Sequence, residues 1–316
     1  MSEAIPSLRQ LGLRWHAFLT PACDPRPCAL IRIGYASLVF VNFAAMAMHV
    51  ESMWSEQGWL PLEVSRRLTD RYALTVFMLL PANATVLWTC YVAALVQSFL
   101  LALGFLSRFN AVCVFVWLVS FQHRNVFITD GEDIVFRMVG FMVIWLPMNL
   151  TYALDATLWP AKGAGSAPSS GWALRMLQLE MCLIMLCAGI EKLEGDHWWT
   201  GDAMYYVSKL DDLFRRYPPP QALSESLWFL RIMSWSTLAV ELLAPLLLWF
   251  RETRRVALGA IVALHLGIDY MMNLFLFQWI MLVGWLSHFT WKELVWLCTS
   301  PMRLVRVVRS QVPRNA

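Results

Sequence analysis

The sequence predicts an all-α fold, a polytopic integral membrane helical bundle of about eight transmembrane helices. Hydrophobic residues make up 59% of the 316 residues and charged residues only 15%, whereas a typical soluble domain has about 25% charged residues. The mean hydropathy is +0.53, and several apolar runs reach the roughly 20 residues that cross a bilayer. So few charged residues could not cover the surfaces of soluble domains. The same composition excludes a disordered protein, a nucleic-acid-binding domain and a secreted disulfide-rich scaffold. The net charge of +3 is too small to predict an anionic partner.

The elements follow these apolar runs in chain order. Residues 1–27 form a cytoplasmic and interfacial segment, in which Leu, Trp and Phe alternate with Arg and His over 5–19, as in a helix at the membrane surface. Residues 28–298 form the transmembrane domain, and 299–316 form a short basic cytoplasmic tail. The stretch AKGAGSAPSS over 161–170 predicts a flexible loop. The spans are predicted at about 28–50, 84–106, 109–123, 133–150, 171–190, 226–250, 255–275 and 277–298, and their number lies between about seven and nine.

Lys and Arg are distributed unequally between the two sets of loops. With the N-terminus inside, short inner segments such as 251–255 carry more of these cations, while the long outer loop over 191–225 is rich in Asp and Glu. Cytoplasmic loops of membrane proteins are enriched in Lys and Arg. We therefore predict that both termini are cytoplasmic and that the number of spans is even, in a multi-pass protein of the bacterial cytoplasmic (inner) membrane.

Ionisable residues within the predicted spans are few, and they recur on four successive spans. Such residues are costly in a bilayer unless they are paired or solvated, and residues four apart share a helix face and can pair. Each set is therefore either a structural ion pair or part of one shared polar cavity. Arg32, near the end of the first span, is interpreted as a structural residue that snorkels to the interface. The sets are Asp133 with Arg137, Arg175 with Glu180, Arg231 with Glu241, and His265 with Asp269.

Lys192 follows an apolar helix and begins the longest outer loop. Three carboxylates lie between residues 191 and 196, and Trp198 and Trp199 are typical of an interfacial aromatic belt. One interpretation is a lysine cation held by the adjacent carboxylates at the level of the lipid headgroups. The other is a lysine at the mouth of a low-dielectric cavity, where its neutral amine could act as a base. The adjacent carboxylates favour the protonated form.

The histidines do not form a metal-binding pattern. They are isolated along the chain, and no HxxxH or HExxH sequence is present, whereas such pairs place two metal ligands on one helix face. Cys23 and Cys28 lack the spacing and the histidine neighbours of a zinc site. We therefore predict no metal site. The sequence also contains no P-loop, GxGxxG or GxSxG motif.

Five further motifs occur in the sequence, namely ALIRIGYASLVF (29–40), EQGWLP (56–61), FQHRNVFITDGEDIVFR (121–137), LPMNLTYALD (146–155) and AGIEKLEGDHWWTGDAMYYVSKL (188–210). In this order they resemble the motifs of the horizontally transferred transmembrane (HTTM) domain, the membrane module shared with vitamin K-dependent gamma-carboxylase. The resemblance extends from about residue 10 to residue 298. It implies a membrane module whose active site faces the outer side, where the charge distribution also places Lys192.

The resemblance implies roles for individual residues. Lys192 corresponds to the lysine that starts oxidation of the reduced quinone in the carboxylase, after which the oxygenated quinone removes a proton from a glutamate that captures carbon dioxide. His265 matches a histidine of the later spans. Another carboxylase histidine aligns with Asp133, a departure that counts against the full carboxylation reaction. The predicted catalytic residues are Lys192, Asp133 and His265, and the predicted cofactor-binding residues are Arg137, Trp198, Trp199 and Asp269.

Three functions are compatible with these features. The first is quinone-linked modification of a peptide, with a reduced quinone of the vitamin K or menaquinone kind as cofactor and Lys192 as base. The second is a non-enzymatic membrane factor for the maturation or export of a secreted antimicrobial peptide. The third is a transporter, which the charge sets suggest but which lacks the inverted repeats of many transporters. The expected partners are the lipid bilayer and a secreted peptide, and no nucleic acid is expected.

Overall fold

The computed structural model describes residues 7–68, 75–160, 169–210, 215–217 and 220–299, and most of these residues are helical. The predicted basic tail, from residue 300 onwards, lies outside the described residues. The helical fold class is confirmed. The α-helices are α1 (Leu8–Leu19), α2 (Pro25–Ala45), α3 (Val50–Trp54), α4 (Leu62–Leu68), α5 (Ala84–Leu103), α6 (Ser107–Arg124), α7 (Gly131–Trp145), α8 (Leu154–Leu158), α9 (Trp172–Leu193), α10 (Asp196–Thr200), α11 (Ala203–Ser208), α12 (Gln221–Ser224), α13 (Leu227–Leu247), α14 (Arg254–Met271), α15 (Phe277–Trp285) and α16 (291–299).

A helix occupies the position of each predicted span, but the helices differ in length and polarity. Within the described residues, α2, α5, α9 and α13 are long and apolar enough to cross a membrane. Helices α6 and α14 have 18 residues each, including charged residues near their ends. Helices α7 and α15 are shorter, at 15 and 9 residues. The described residues therefore contain four candidate membrane spans, and the total of about eight remains a prediction.

The last predicted span, 277–298, is not one continuous helix. Helix α15 ends at Trp285, a single 3-10 turn follows, and α16 begins after Thr290. The Thr290 hydroxyl accepts a hydrogen bond from the Glu293 backbone N–H, and the Glu293 carboxylate accepts one from the Thr290 backbone N–H. This reciprocal capping box is a helix-start signal. The prediction of one unbroken span was wrong because this local signal starts a second helix within the apolar run.

Helix α15 lies at the centre of the bundle, where it packs against α2, α7, α9 and α14. The side chains of Gln278, Ile280, Met281 and Trp285 are all buried. A helix that is apolar on every side is stable only when it is surrounded by other apolar elements. This position explains how nine residues can form a central helix. The remaining long helices pack around it in the sequence α2, α5, α6, α7, α9, α13 and α14.

The N-terminal segment forms α1 at the position where an interfacial helix was predicted. Ser7 caps this helix in a capping box with Gln10. None of its residues is buried, and Leu8 and Trp15 are exposed. Phe18 anchors its end, because the ring packs against Trp249. An apolar surface of this kind suits a helix that lies against lipid.

Asp24 begins the first candidate span by capping α2. Its carboxylate accepts a hydrogen bond from the Arg26 backbone N–H, and the Arg26 side chain donates further hydrogen bonds to it. These hydrogen bonds lower the pKa of the Asp24 carboxyl. The cap therefore stays negatively charged at the positive end of the helix dipole, which stabilises the start of α2.

A two-stranded antiparallel sheet precedes α2 and α9. Strand β1 (Ala22–Cys23) pairs with β2 (Ser169–Ser170), and the Gly171 backbone N–H donates to the Pro21 carbonyl. The predicted flexible loop over 161–170 was therefore wrong for its last two residues, while 161–168 lie outside the described chain. Backbone pairing of this kind depends on a partner strand far away in the sequence, and local composition does not reveal it.

Candidate functional site

Lys192 forms an ion pair with Glu241, which is on a different helix. Lys192 Nζ lies 2.8 Å from Glu241 Oε2 and donates a hydrogen bond to Oε1 at 3.0 Å. The side chain of Glu241 is 8% exposed and that of Lys192 is 24% exposed. Among the described residues, Glu191, Glu194 and Asp196 do not pair with Lys192. The prediction that these neighbouring carboxylates hold the lysine was wrong, because α13 brings a more buried carboxylate to the end of α9.

Gly189 allows α9 and α13 to approach closely at this pair. A Cβ atom at position 189 would lie 2.9 Å from Leu242 Cδ2 and 3.2 Å from Glu241 Cβ. Gly189 precedes Lys192 by three residues and so lies on the same face of α9. A larger residue would force the two helices apart and would separate the ammonium from the carboxylate. The short AGIEK stretch therefore contains both the cation and the contact that aligns its partner.

The two predicted aromatic residues have different environments. Trp198, on α10, lies beside Lys192, with 5.3 Å between Nζ and the centroid of the ring, a cation–π contact. Trp199 is 61% exposed, and its Nε1–H donates to the Leu193 carbonyl at the end of α9. Its own carbonyl accepts a hydrogen bond from Trp235. Trp198 is therefore part of a cluster with Lys192 and Glu241. Trp199 links α10 to α9 and α13 through hydrogen bonds.

Asp133 is buried, and both of its oxygen atoms accept hydrogen bonds. Oδ2 accepts from the Asp130 backbone N–H at 3.1 Å, and Oδ1 accepts from Gln122 Nε2 at 2.8 Å. The first bond completes a capping box at the start of α7. Arg137 Nη1 lies 3.1 Å from His123 Nε2, and no ion pair joins Arg137 to Asp133 in the described part of the chain. The predicted pairing of these two residues was wrong because the cap and Gln122 occupy the carboxylate oxygens, while Arg137 contacts His123 instead.

His265 is buried between two polar side chains of α15. Trp285 Nε1–H donates to His265 Nε2 at 3.2 Å, so His265 carries its hydrogen on Nδ1. That hydrogen is donated to Gln278 Oε1, with 2.5 Å between the two heavy atoms. Both ring nitrogens of the neutral imidazole are thereby used. Asp269 pairs instead with Arg216, at 2.7 Å between Nη1 and Oδ2, so the predicted pairing of His265 with Asp269 was also wrong.

In the other predicted charge sets, too, the two members do not pair with each other. Arg175 donates to Gln178 Oε1 at 2.7 Å, and Arg231 Nε lies 3.5 Å from Asp202 Oδ1. Oε2 of Glu180 is buried, and no described group hydrogen-bonds to it. Within the described residues, no hydrogen bond or ion pair joins Lys192 to Asp133, Arg137 or His265. The structure thus brings Lys192, Glu241 and Trp198 together and places the remaining candidates in separate clusters.

A small cavity of about 20 Å³ borders Asp133 and is lined mainly by apolar side chains. Asn42 and Gln122 also line it, and each has a buried side-chain oxygen without a hydrogen-bond partner among the described groups. A cavity of this size accommodates one water molecule but no larger ligand. The cavity is therefore large enough for a water molecule and too small for a quinone ring.

Two of the sequence motifs meet at one end of the bundle. Arg32, from the first motif, is fully buried and donates to the Met148 carbonyl at 2.8 Å and to the Tyr152 carbonyl at 2.5 Å. Both carbonyls belong to the LPMNLTYALD motif. The prediction that Arg32 snorkels to the interface was wrong, because its guanidinium is enclosed by backbone carbonyls. Its structural role was correctly predicted.

Asp155, the last residue of the same motif, holds the start of α6. Its carboxylate accepts hydrogen bonds from the backbone N–H groups of Leu106 and Ser107 at 2.6 and 2.8 Å, and from the Ser107 hydroxyl. We expect Asp155→Ala to lower the free energy of unfolding by about 1–2 kcal/mol, the usual cost of losing such a cap. Denaturant titration in detergent micelles measures this difference. Asp196→Ala is the matched control, and an equal effect of the two substitutions would contradict the capping role.

Two other motifs meet through a second arginine. Arg124, from the FQHRN stretch, is buried and donates to the Leu60 carbonyl of the GWLP stretch at 2.6 Å. The next residue, Asn125, donates to the Met53 carbonyl at 2.8 Å. A cavity of about 240 Å³ lies beside Arg124 and is also lined by Glu56. These motifs therefore position loops against one another rather than placing further groups around Lys192.

One comparison with protein families identifies the domain that these motifs resemble. No solved structure matches the chain. The family model of the HTTM domain matches residues 22–291, a range that includes α2, both motif clusters and the Lys192–Glu241 pair. This protein therefore belongs to the HTTM domain family.

Proposed function

We propose that this protein carries out a quinone-linked modification of a peptide. In this proposal the Lys192–Glu241 pair takes up the proton that the reduced quinone releases. The observation that supports the proposal is the 2.8 Å contact between Lys192 Nζ and a nearly buried carboxylate on another helix. A general base must lie within about 2.6–3.2 Å of the proton that it accepts, and the contacts of Glu241 with Lys192 Nζ meet this condition. The family provides the chemical context, since its module in the carboxylase corresponds to this chain.

The chemistry of these side chains fits a reduced quinone. The ammonium group of Lys192 has three hydrogens, so its contacts with Glu241 leave it able to bind a quinol oxygen. The ring of Trp198 lies beside the ammonium and offers an aromatic face for stacking. Lys192 and Trp198 are therefore the residues that would hold the quinone. When bound and oxygenated by dioxygen, a reduced quinone would supply the base that removes a proton from the peptide, as the family relationship implies.

The pair would work as a relay rather than as a free amine. The Glu241 carboxylate lies within 3.0 Å of Lys192 Nζ and is therefore the nearest acceptor for a proton from the lysine. Lys192 would pass one of its protons to Glu241 while it receives a proton from the quinol hydroxyl. Lys192 would then keep its positive charge and would stabilise negative charge on a bound quinone, while Glu241 would hold the proton. This role explains why the lysine needs a buried partner on α13.

The test uses the purified protein in lipid with a reduced quinone, labelled bicarbonate and a glutamate-containing peptide. We expect wild-type protein to incorporate label into the peptide and Lys192→Ala to reduce the rate by at least about 100-fold, the usual size of a proton-transfer contribution. Lys209→Ala is the matched control, because Lys209 is an exposed lysine in the same outer loop. Unchanged incorporation by Lys192→Ala would exclude Lys192 from the reaction. If wild-type protein neither binds the quinone nor incorporates label, the proposal fails.

A second candidate is a non-enzymatic membrane factor that binds a secreted peptide during its maturation or export. It is favoured by the structural bonds of Asp133 and His265, whose polar atoms are already engaged. In that case Lys192→Ala would leave peptide maturation in cells unchanged, and the peptide would crosslink to both the wild-type protein and the variant. The two functions are therefore separated by the same substitution.

A further inference from the structure

A long apolar groove lies between α14 and α16, away from the Lys192–Glu241 pair. Its volume is about 830 Å³, which is within the range of small-molecule binding sites. Residues spaced four apart on α14 form one wall, which extends about 12 Å at the helical rise of 1.5 Å per residue. The opposite wall comes from the segment that includes α16. The wall residues are Leu258, Val262, Leu266, Phe289, Trp296 and Leu297.

One end of the groove is positively charged. Arg255 and Lys292 line this end together with Glu293. The Glu293 carboxylate is already bound by Arg254, at 2.7 and 3.0 Å between the paired nitrogen and oxygen atoms. Arg255 is 85% exposed, and its Nε lies 3.8 Å from Glu293. Because Arg254 neutralises Glu293, Arg255 and Lys292 supply a net positive charge at this end.

The helix termini add to this charge. Helix α14 begins at Arg254, and α16 begins near Lys292, so both helix N-termini lie at the charged end of the groove. Partial positive charges at helix N-termini favour anions. The groove thus combines a cationic end with an apolar channel. An anionic headgroup attached to a hydrocarbon chain complements both parts, and neither a neutral quinone nor a free anion does.

We propose that this groove binds one anionic phospholipid, with its phosphate between Arg255 and Lys292 and an acyl chain along α14. Gly259 opens the channel, because a Cβ atom at this position would have no neighbour within 4 Å. Basic pockets between membrane helices are known sites for anionic headgroups. The bound lipid would link α16 to α14 at the end of the bundle.

Native mass spectrometry of the full chain tests the proposal, with phosphatidylglycerol and phosphatidylcholine of identical acyl chains offered together. We expect wild-type protein to retain one phosphatidylglycerol in preference to phosphatidylcholine by about tenfold. The double variant Arg255→Gln/Lys292→Gln should reduce that preference to about twofold or less. Arg9→Gln/Arg251→Gln is the matched control, because it removes two exposed arginines outside the groove and should leave the preference unchanged.

A second pair of variants tests the channel itself. Gly259→Leu should abolish retention of both lipids, whereas Gly267→Leu, at an equally open position on the same helix, should retain them. The proposal is overturned if the Arg255/Lys292 double variant keeps the wild-type preference. It is also overturned if inorganic phosphate alone stabilises the protein as much as phosphatidylglycerol does. The wild-type protein could instead retain a neutral quinone. If Gly259→Leu abolished that retention and the Arg255/Lys292 double variant did not, the ligand of the groove would be a quinone and the proposal would be wrong.

Discussion

Lys192→Met is expected to lower the free energy of unfolding by about 3 kcal/mol, because it leaves the Glu241 carboxylate buried without its partner. Removing one member of a buried ion pair costs more than the pair itself contributes, since the remaining charge has lost both water and its counter-charge. Glu241 is 8% exposed on its side chain, so water does not replace the lost ammonium. Denaturant titration in detergent micelles measures the change.

The second step of this experiment separates stability from activity. Adding Glu241→Leu to Lys192→Met should restore most of the lost stability, because an apolar pair of similar volume is tolerated at a buried ion-pair site. The double variant should nevertheless remain inactive in the bicarbonate assay. Lys209→Met serves as the control for removing a lysine. If the double variant were as unstable as Lys192→Met, or if it were active, the proposed coupling of Lys192 to Glu241 would be wrong.

Arg32→Met is expected to be at least as damaging, with a loss of about 4 kcal/mol. The Arg32 side chain is fully buried and donates to the Met148 and Tyr152 carbonyls. Each buried carbonyl left without a donor costs about 1–3 kcal/mol. Arg32→Lys should recover only part of this loss, because a lysine ammonium lacks the planar fork that reaches separated acceptors. Protein yield and denaturant titration measure both effects.

Arg26→Met provides the control for Arg32. Arg26 is on the same helix, but its side chain is 43% exposed and pairs with the adjacent Asp24. Exposed ion pairs contribute about 0–1 kcal/mol, so we expect a small change. A loss for Arg32→Met no larger than that for Arg26→Met would contradict the structural role of the Arg32 guanidinium. The bicarbonate assay does not report on the role of Arg32, because a destabilised protein loses activity for indirect reasons.

Much of the fold could be predicted from local sequence. Helix positions followed from the apolar runs, and the helix-start signal Thr290–Glu293 could also have been read from the sequence. The family followed from ordered motifs, and the match over residues 22–291 confirms it. The candidate site was predictable to the extent that Lys192, Trp198 and Glu241 could each be recognised as unusual residues in an apolar chain.

The pairing of those residues could not be predicted in the same way. Spacing along one helix suggested Asp133 with Arg137 and His265 with Asp269, but these side chains form their hydrogen bonds and ion pairs with other elements or with a helix cap. Their oxygen and nitrogen atoms are used by a helix cap, by α15 and by Arg216. A pattern of four-residue spacing shows only that two side chains share a face. It does not reveal a competing partner from another helix.

The sequence by itself determined that this is a membrane protein, that it is helical and which family it belongs to, because these properties depend on composition, apolar run length and ordered motifs. Only the tertiary structure decided that Glu241 holds Lys192, that Arg32 binds carbonyls, and that Asp133 and His265 are structurally engaged. The physical reason is that buried charges and hydrogen-bonding groups must find partners wherever the packed helices bring them. Apart from the local cap at Asp133, those partners lie on other elements, and the packing that unites them has no local signal.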